Sequence, residues 1–182
     1  MLNFFGNKKE GRELSNFYEG EILITDEGGF VRKYGSGEAA FHGMKYIEVA
    51  KVSKNEDRKS KLEEYGKKFE HGEEFGELLS KDVKKKGGKS GLKLTEEEIT
   101  KWERKSFGIQ KQICKYKIEH DDAVKLCLEK HKGKTLIHPA FRCSDEKVKR
   151  AFWNGRGKIE DGRLVILGTN MLGRLWMELR ED

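Results

Sequence analysis

The four residues Thr95-Glu96-Glu97-Glu98 constrain this chain more than any other short stretch. A threonine followed three residues later by a glutamate can close a helix N-terminus reciprocally. The hydroxyl accepts from one orphan N–H and the carboxylate from another. The cap opens onto Ile99, Trp102, Ile109, Ile113 and Tyr116, which share one stripe at helical spacing. This predicts the longest helix of the chain, with one face turned to a core.

Other elements follow from the same kind of reading. Gly20–Tyr34 predicts a hairpin: Ile22, Leu23 and Ile24 lead into Asp26-Glu27-Gly28-Gly29, and Phe30 to Tyr34 return. Ser36 can cap a helix from about Gly37 to Lys51, and residues from Asn55 to about His71 read as a second, strongly charged helical stretch. Glu73 to Asp82 predicts a third, with Phe75, Leu78 and Leu79 on one side. Residues 84–93, Lys-Lys-Lys-Gly-Gly-Lys-Ser-Gly-Leu-Lys, predict a solvated, mobile loop, because glycine and like charge both resist regular structure. Asp121 can cap a helix that buries Val124, Cys127 and Leu128 and ends at Gly133; Lys134 to His138 reads as a short strand. Ser144 can cap a short helix ending near Trp153, and Asn170 to about Arg180 places Leu172, Leu175, Trp176 and Leu179 at helical spacing. The expectation is an α+β, mostly helical single domain over residues 1–182 with a small antiparallel sheet.

Composition narrows the class. With 35% hydrophobic and 38% charged residues, the chain has a core and a heavily charged surface. No apolar run approaches the roughly 20 residues that span a bilayer. The start, Met1-Leu2-Asn3-Phe4-Phe5, does not read as a signal peptide. Cys114, Cys127 and Cys143 are an odd number at spacings that suit free thiols in a reducing compartment, so a cytoplasmic location is expected. No Cys/His pair has zinc-ligand spacing, and no metal or cofactor is implied. The net charge of +6 favours approach to a polyanion such as nucleic acid, and the lysines of residues 84–93 could contact it directly.

The chemistry-bearing residues cluster first between Glu38 and Lys45. Seven residues make about two helical turns, so both side chains share a face with Phe41 between them. Burial lowers the pKa of a lysine and makes it nucleophilic, while a carboxylate can move protons. On spacing alone the same pair is more often a surface ion pair. Asn170, before the last helix, reads either as a plain N-cap or as part of an anion site. Trp153-Asn154-Gly155-Arg156-Gly157 reads either as a base-stacking basic loop or as a core tryptophan followed by a turn. The histidines have no clear sequence partner and are expected to be surface or packing residues.

Taken in order, these segments resemble the NADAR family, named for its association with NAD and ADP-ribose. The matching blocks are Phe5-Gly6 with Leu14-Ser15-Asn16-Phe17-Tyr18; Tyr34 with Glu38, Phe41 and Lys45; Trp102 ahead of Lys115-Tyr116; and Trp153 followed by Asn170, Leu172-Gly173, Leu175, Met177 and Arg180. The resemblance implies hydrolysis of N-glycosidic bonds, such as removal of ADP-ribose from guanine bases or cleavage of a riboflavin-pathway intermediate. It implies Lys45 as the Schiff-base lysine and Glu38 as its acid–base partner. Asn16, Phe17, Phe41, Trp102, Trp153, Asn170 and Gly173 would bind the substrate. Family members usually carry an acidic residue where His138 stands, another where Arg150 stands, and Trp-Gly where this chain has Trp153-Asn154-Gly155. These departures keep two alternatives open: a non-catalytic binding module for ADP-ribose or nucleic acid, and a basic nucleic-acid-binding domain without a nucleotide pocket.

Overall fold

A computed structural model describes residues 1–180. In chain order the elements are β1 (Leu2–Asn3), a single 3-10 turn (Arg12–Leu14), β2 (Glu19–Thr25), β3 (Val31–Ser36), α1 (Gly37–Lys51), α2 (Glu56–Lys67), α3 (Ser80–Gly87) and α4 (Glu96–His120). They continue with α5 (Asp122–Lys130), β4 (Leu136–Ile137), α6 (Asp145–Lys149), β5 (Arg156–Glu160), β6 (Arg163–Leu167) and α7 (Met171–Leu179). The architecture is α+β and mostly helical, with small antiparallel sheets. No helix among the described residues is long and apolar enough to cross a membrane. The chain packs as two compact units: Asn16–Tyr116, and Met1–Ser15 with the stretch from Lys117 onward.

The Asn16–Tyr116 unit is built around α1. β2 and β3 pair antiparallel with Ile22 opposite Tyr34 and Ile24 opposite Arg32. The two-residue alternation turns Ile22, Ile24 and Tyr34 inward. Ser36 caps α1 as expected, its Oγ accepting from Ala39 N at 3.2 Å. α1 is itself largely buried, packed on β2, β3, α2 and α3, and its Ala39, Ala40, Met44, Tyr46 and Ile47 join Leu62 and Phe69 in the core. α1 and α2 approach closely because Gly66 faces Ile47: a Cβ there would meet the isoleucine Cδ1 at 2.9 Å. The Thr95–Glu98 cap forms in both directions, Glu98 N to Thr95 Oγ1 at 3.2 Å and Thr95 N to Glu98 Oε2 at 2.8 Å. Arg58 of α2 then grips the same carboxylate through Nε and a terminal amine, at 2.8 and 2.7 Å. Trp102, Ile109 and Ile113 are buried as the stripe predicts, but Ile99 lies exposed.

Two expectations fail in this unit. The helix placed at Glu73–Asp82 begins only at Ser80. Before it the chain turns at Gly72, φ +87°, and folds back so that Phe75 N and Gly76 N both donate to Lys68 O. The lysine-rich stretch 84–93 is not a loose loop: Lys84, Lys85 and Lys86 form the last turn of α3. Cations are favoured there because the unpaired carbonyls of a helix C-terminus carry partial negative charge. Gly87 is buried, and Lys86 O accepts from the Tyr65 hydroxyl at 3.0 Å.

In the other unit β1 pairs with β4 in parallel, Leu2 opposite Leu136. Trp176 of α7 donates its indole N–H to Leu14 O at 3.0 Å. Buried Lys117 donates to Glu13 O at 2.6 Å and Ser15 O at 2.9 Å, satisfying the carbonyls around the 3-10 turn. Asp121 caps α5 as predicted. The helix after Ser144 ends at Lys149, short of Trp153. The β5–β6 hairpin was not foreseen; Asp161 and Gly162 make its turn with φ of +48° and +75°. Arg156 and Gly157, read as a flexible loop, belong to β5.

Candidate functional site

Lys45 lies on the α1 face that begins with Glu38. Its Nζ donates to the carbonyl of Gly87, the last residue of α3, and sits 4.7 Å from the centre of the Tyr46 ring. Burial lowers its pKa to about 8, opposed by the Glu38 charge and assisted by Lys93. Among the described residues it forms no direct ion pair, so the commoner surface-pair arrangement is not what α1 builds here. Glu38 is buried, and its Oε1 meets His42 Nε2 at 3.1 Å, one helical turn on. His42 was expected to be an ordinary packing residue. Its position four residues after Glu38 was the available signal.

The flanking residues hold this face in place. Asn16 O accepts from Glu38 N at 2.9 Å, and the Asn16 amide pairs reciprocally with Gln110 of α4 at 2.8 and 3.0 Å. Asn16 therefore ties the first turn of α1 to α4. Phe41 meets Trp102 edge to face, with centroids 4.9 Å apart and planes at 71°. Phe17 lies under the Lys84 ammonium at 5.3 Å. The Asn16–Tyr116 unit thus brings Lys45, Glu38, Phe41, Trp102, Asn16 and Phe17 onto one framework around α1.

Trp153, Asn170 and Gly173 belong to the other unit. Asn170 is fully buried in the left-handed region, φ +51°, and its side chain does not cap α7. Its amide instead bridges the β4 region, accepting from His138 N and donating to Leu136 O, each at 2.9 Å. Gly173 lets α7 press on the same strand, since a Cβ there would fall 2.2 Å from Leu136 O. Trp153 packs edge-on to Phe152 at 4.9 Å. His138 stacks with Phe4 at 5.4 Å and Phe5 at 5.9 Å, and its Nδ1 meets the Asn154 amide at 3.0 Å. Asp145, which could have supplied a carboxylate, has its pKa lowered by bonds from Lys158 and Arg156. Among the described residues no three His, Cys, Asp or Glu side chains converge as a metal site requires.

Fold and site together define an α+β scaffold that presents a half-buried lysine beside a carboxylate–histidine pair. Among solved structures the chain is similar to the NMR structure of the E. coli protein YbiA, with a TM-score of 0.58 and 18% identity over 99% of this chain and 82% of that one. At that identity the likeness concerns the fold, which is YbiA-like. No family model and no curated protein matches the chain.

Proposed function

We propose that this chain hydrolyses the N-glycosidic bond of an ADP-ribosylated guanine base in nucleic acid, or of a related nucleotide, through a Schiff base on Lys45. The observation that carries this reading is the Lys45 amine, whose pKa burial lowers to about 8. Near neutral pH part of it is the free amine that can attack carbon. The NADAR resemblance at Glu38, Phe41 and Lys45 supports the substrate class, and the YbiA-like fold is consistent with it.

The ribose ring opens as its oxygen takes a proton, leaving C1 doubly bonded to the base nitrogen. Lys45 Nζ adds to C1. A proton passes from Nζ to the base nitrogen, and the C1–base bond breaks with its electron pair leaving on the base. C1 is then a Schiff base to Lys45. Water adds, the C1–Nζ bond breaks, and the sugar departs as the aldehyde and recloses. One water is consumed, and free base and free sugar result. Glu38, the acid–base partner that the resemblance implies, carries the protons in this scheme. A nucleic-acid substrate would be met by the exposed lysines of α3 and its following turn, Lys84, Lys85 and Lys89.

The test is Lys45→Arg, assayed on ADP-ribosylated DNA with products identified by mass spectrometry. Arginine keeps the charge and cannot form the imine. Binding should persist while turnover falls by at least about 10²-fold, roughly 2.7 kcal/mol of transition-state stabilisation. Turnover near the parent rate would remove the covalent step. The second reading, a binding module, draws on His138, whose ring is taken up by Phe4, Phe5 and Asn154 where the family usually has a carboxylate. It predicts ligand binding by the parent chain with no products at all.

A further inference from the structure

His42 is the side chain of this site that the Lys45 chemistry leaves without a task. It stands one helical turn after Glu38 and three residues before Lys45, so all three are neighbours on one face of α1. Its ring is tilted against Phe69 at 6.3 Å and lies edge-on to Phe41 at 5.9 Å. It also rests on Gly87 so closely that a Cβ there would fall 2.1 Å from the ring Cγ. The same Gly87 carbonyl receives the Lys45 amine. One glycine at the end of α3 therefore seats both the imidazole and the amine. A carboxylate facing Nε2 requires an N–H there, which makes the neutral ring its Nε2–H tautomer and leaves Nδ1 a bare acceptor. Nδ1 is indeed buried with no partner among the described residues.

We propose that His42 is a positioning residue: its Nε2–H holds the Glu38 carboxylate on the imidazole and so keeps that carboxylate from pairing directly with the Lys45 amine. A direct pair would fix the lysine as ammonium and take away its nucleophilicity. The proposal deepens the Lys45 reading and rests on it for its catalytic meaning, but its test needs no substrate. The charged groups acting on Lys45 are Glu38 of its own helix, which favours the ammonium, and Lys93 after α3, which opposes it.

The full chain is acetylated with acetic anhydride across a pH series, and modification of Lys45 is read by peptide mass spectrometry against exposed Lys132. His42→Leu fills the ring's space without a donor, and His42→Gln keeps an N–H. In His42→Leu the midpoint for Lys45 should rise from about 8 by roughly one unit, so that labelling at pH 8 falls about fivefold. His42→Gln should stay within about twofold of the parent. Parent-like labelling of His42→Leu, or an equal fall in His42→Gln, overturns the proposal. Should His42→Leu not fold, nitrogen NMR of the parent decides. The Nε2–H tautomer at His42 is expected, and the Nδ1–H tautomer would refute the arrangement. Schiff-base trapping on Lys45 with parent-like His42 variants removes only this inference. The reverse pair of results removes only the glycosidase reading.

Discussion

Lys45, half-buried, and Lys117, buried, both give their amines to backbone carbonyls, but in different surroundings. Lys117 gives its ammonium two backbone carbonyls, at 2.6 and 2.9 Å, with the Trp176 ring 5.9 Å away. Lys45 has one carbonyl, that of Gly87, and an aromatic face. For Lys45 desolvation outweighs the nearby Glu38 charge that favours the ammonium. The sign for Lys45 follows. Burial disfavours the ammonium, the pKa falls to about 8, and the neutral amine dominates above that pH. Below pH 8 the single-turnover rate of Schiff-base formation should climb about tenfold per pH unit, and above it the rate should level off. Quench-flow measurements between pH 6 and 10, run on the parent chain, check this. A rate that still climbs at pH 10 would mean an amine with the ordinary lysine pKa.

At the scale of elements, the end of α3 matters most. Gly87 has no room for a side chain, because a Cβ would strike the His42 ring and that ring is wedged between Phe41 and Phe69. Gly87→Ala should cost about 1–3 kcal/mol by overpacking and should also alter Lys45 labelling. Thermal melting and acetylation of the same variant measure the two effects. A stable variant with unchanged labelling would show that α3 does not seat the site. Deletion of residues 84–91 should likewise lower the melting temperature, since this stretch carries the Gly87 and Lys86 carbonyls that receive Lys45 and Tyr65. Elements fixed by local chemistry were legible in the sequence: the β2–β3 hairpin, the caps at Ser36 and Asp121, and the Thr95–Glu98 box. α3 was missed because three lysines before a glycine pair look like mutual repulsion, whereas in the last helical turn they face the helix dipole favourably. The β5–β6 hairpin was missed although Asp161-Gly162 is a good two-residue turn sequence; Arg156 to Glu160 lacks the apolar alternation that usually marks a strand.

At the scale of the whole molecule, what local pattern could not show is which distant stretches join. Leu2 pairs with Leu136, and Trp176 bonds to Leu14. No periodicity within either segment points to the other. The site was legible where it is local to one helix: Glu38, Phe41 and Lys45 share a face because of helical spacing alone. Gly87 and Gln110 were not legible, because they reach α1 only through tertiary packing. In the proposed reaction Lys45 becomes covalently bonded to the sugar. The most direct measurement is borohydride trapping of the full chain with an ADP-ribosylated guanine substrate, followed by peptide mapping. A stable secondary amine, carrying the mass of the reduced sugar, is expected on Lys45 and on no other lysine, and none in Lys45→Arg. Substrate turnover by the parent chain with no trapped adduct on Lys45 would contradict it.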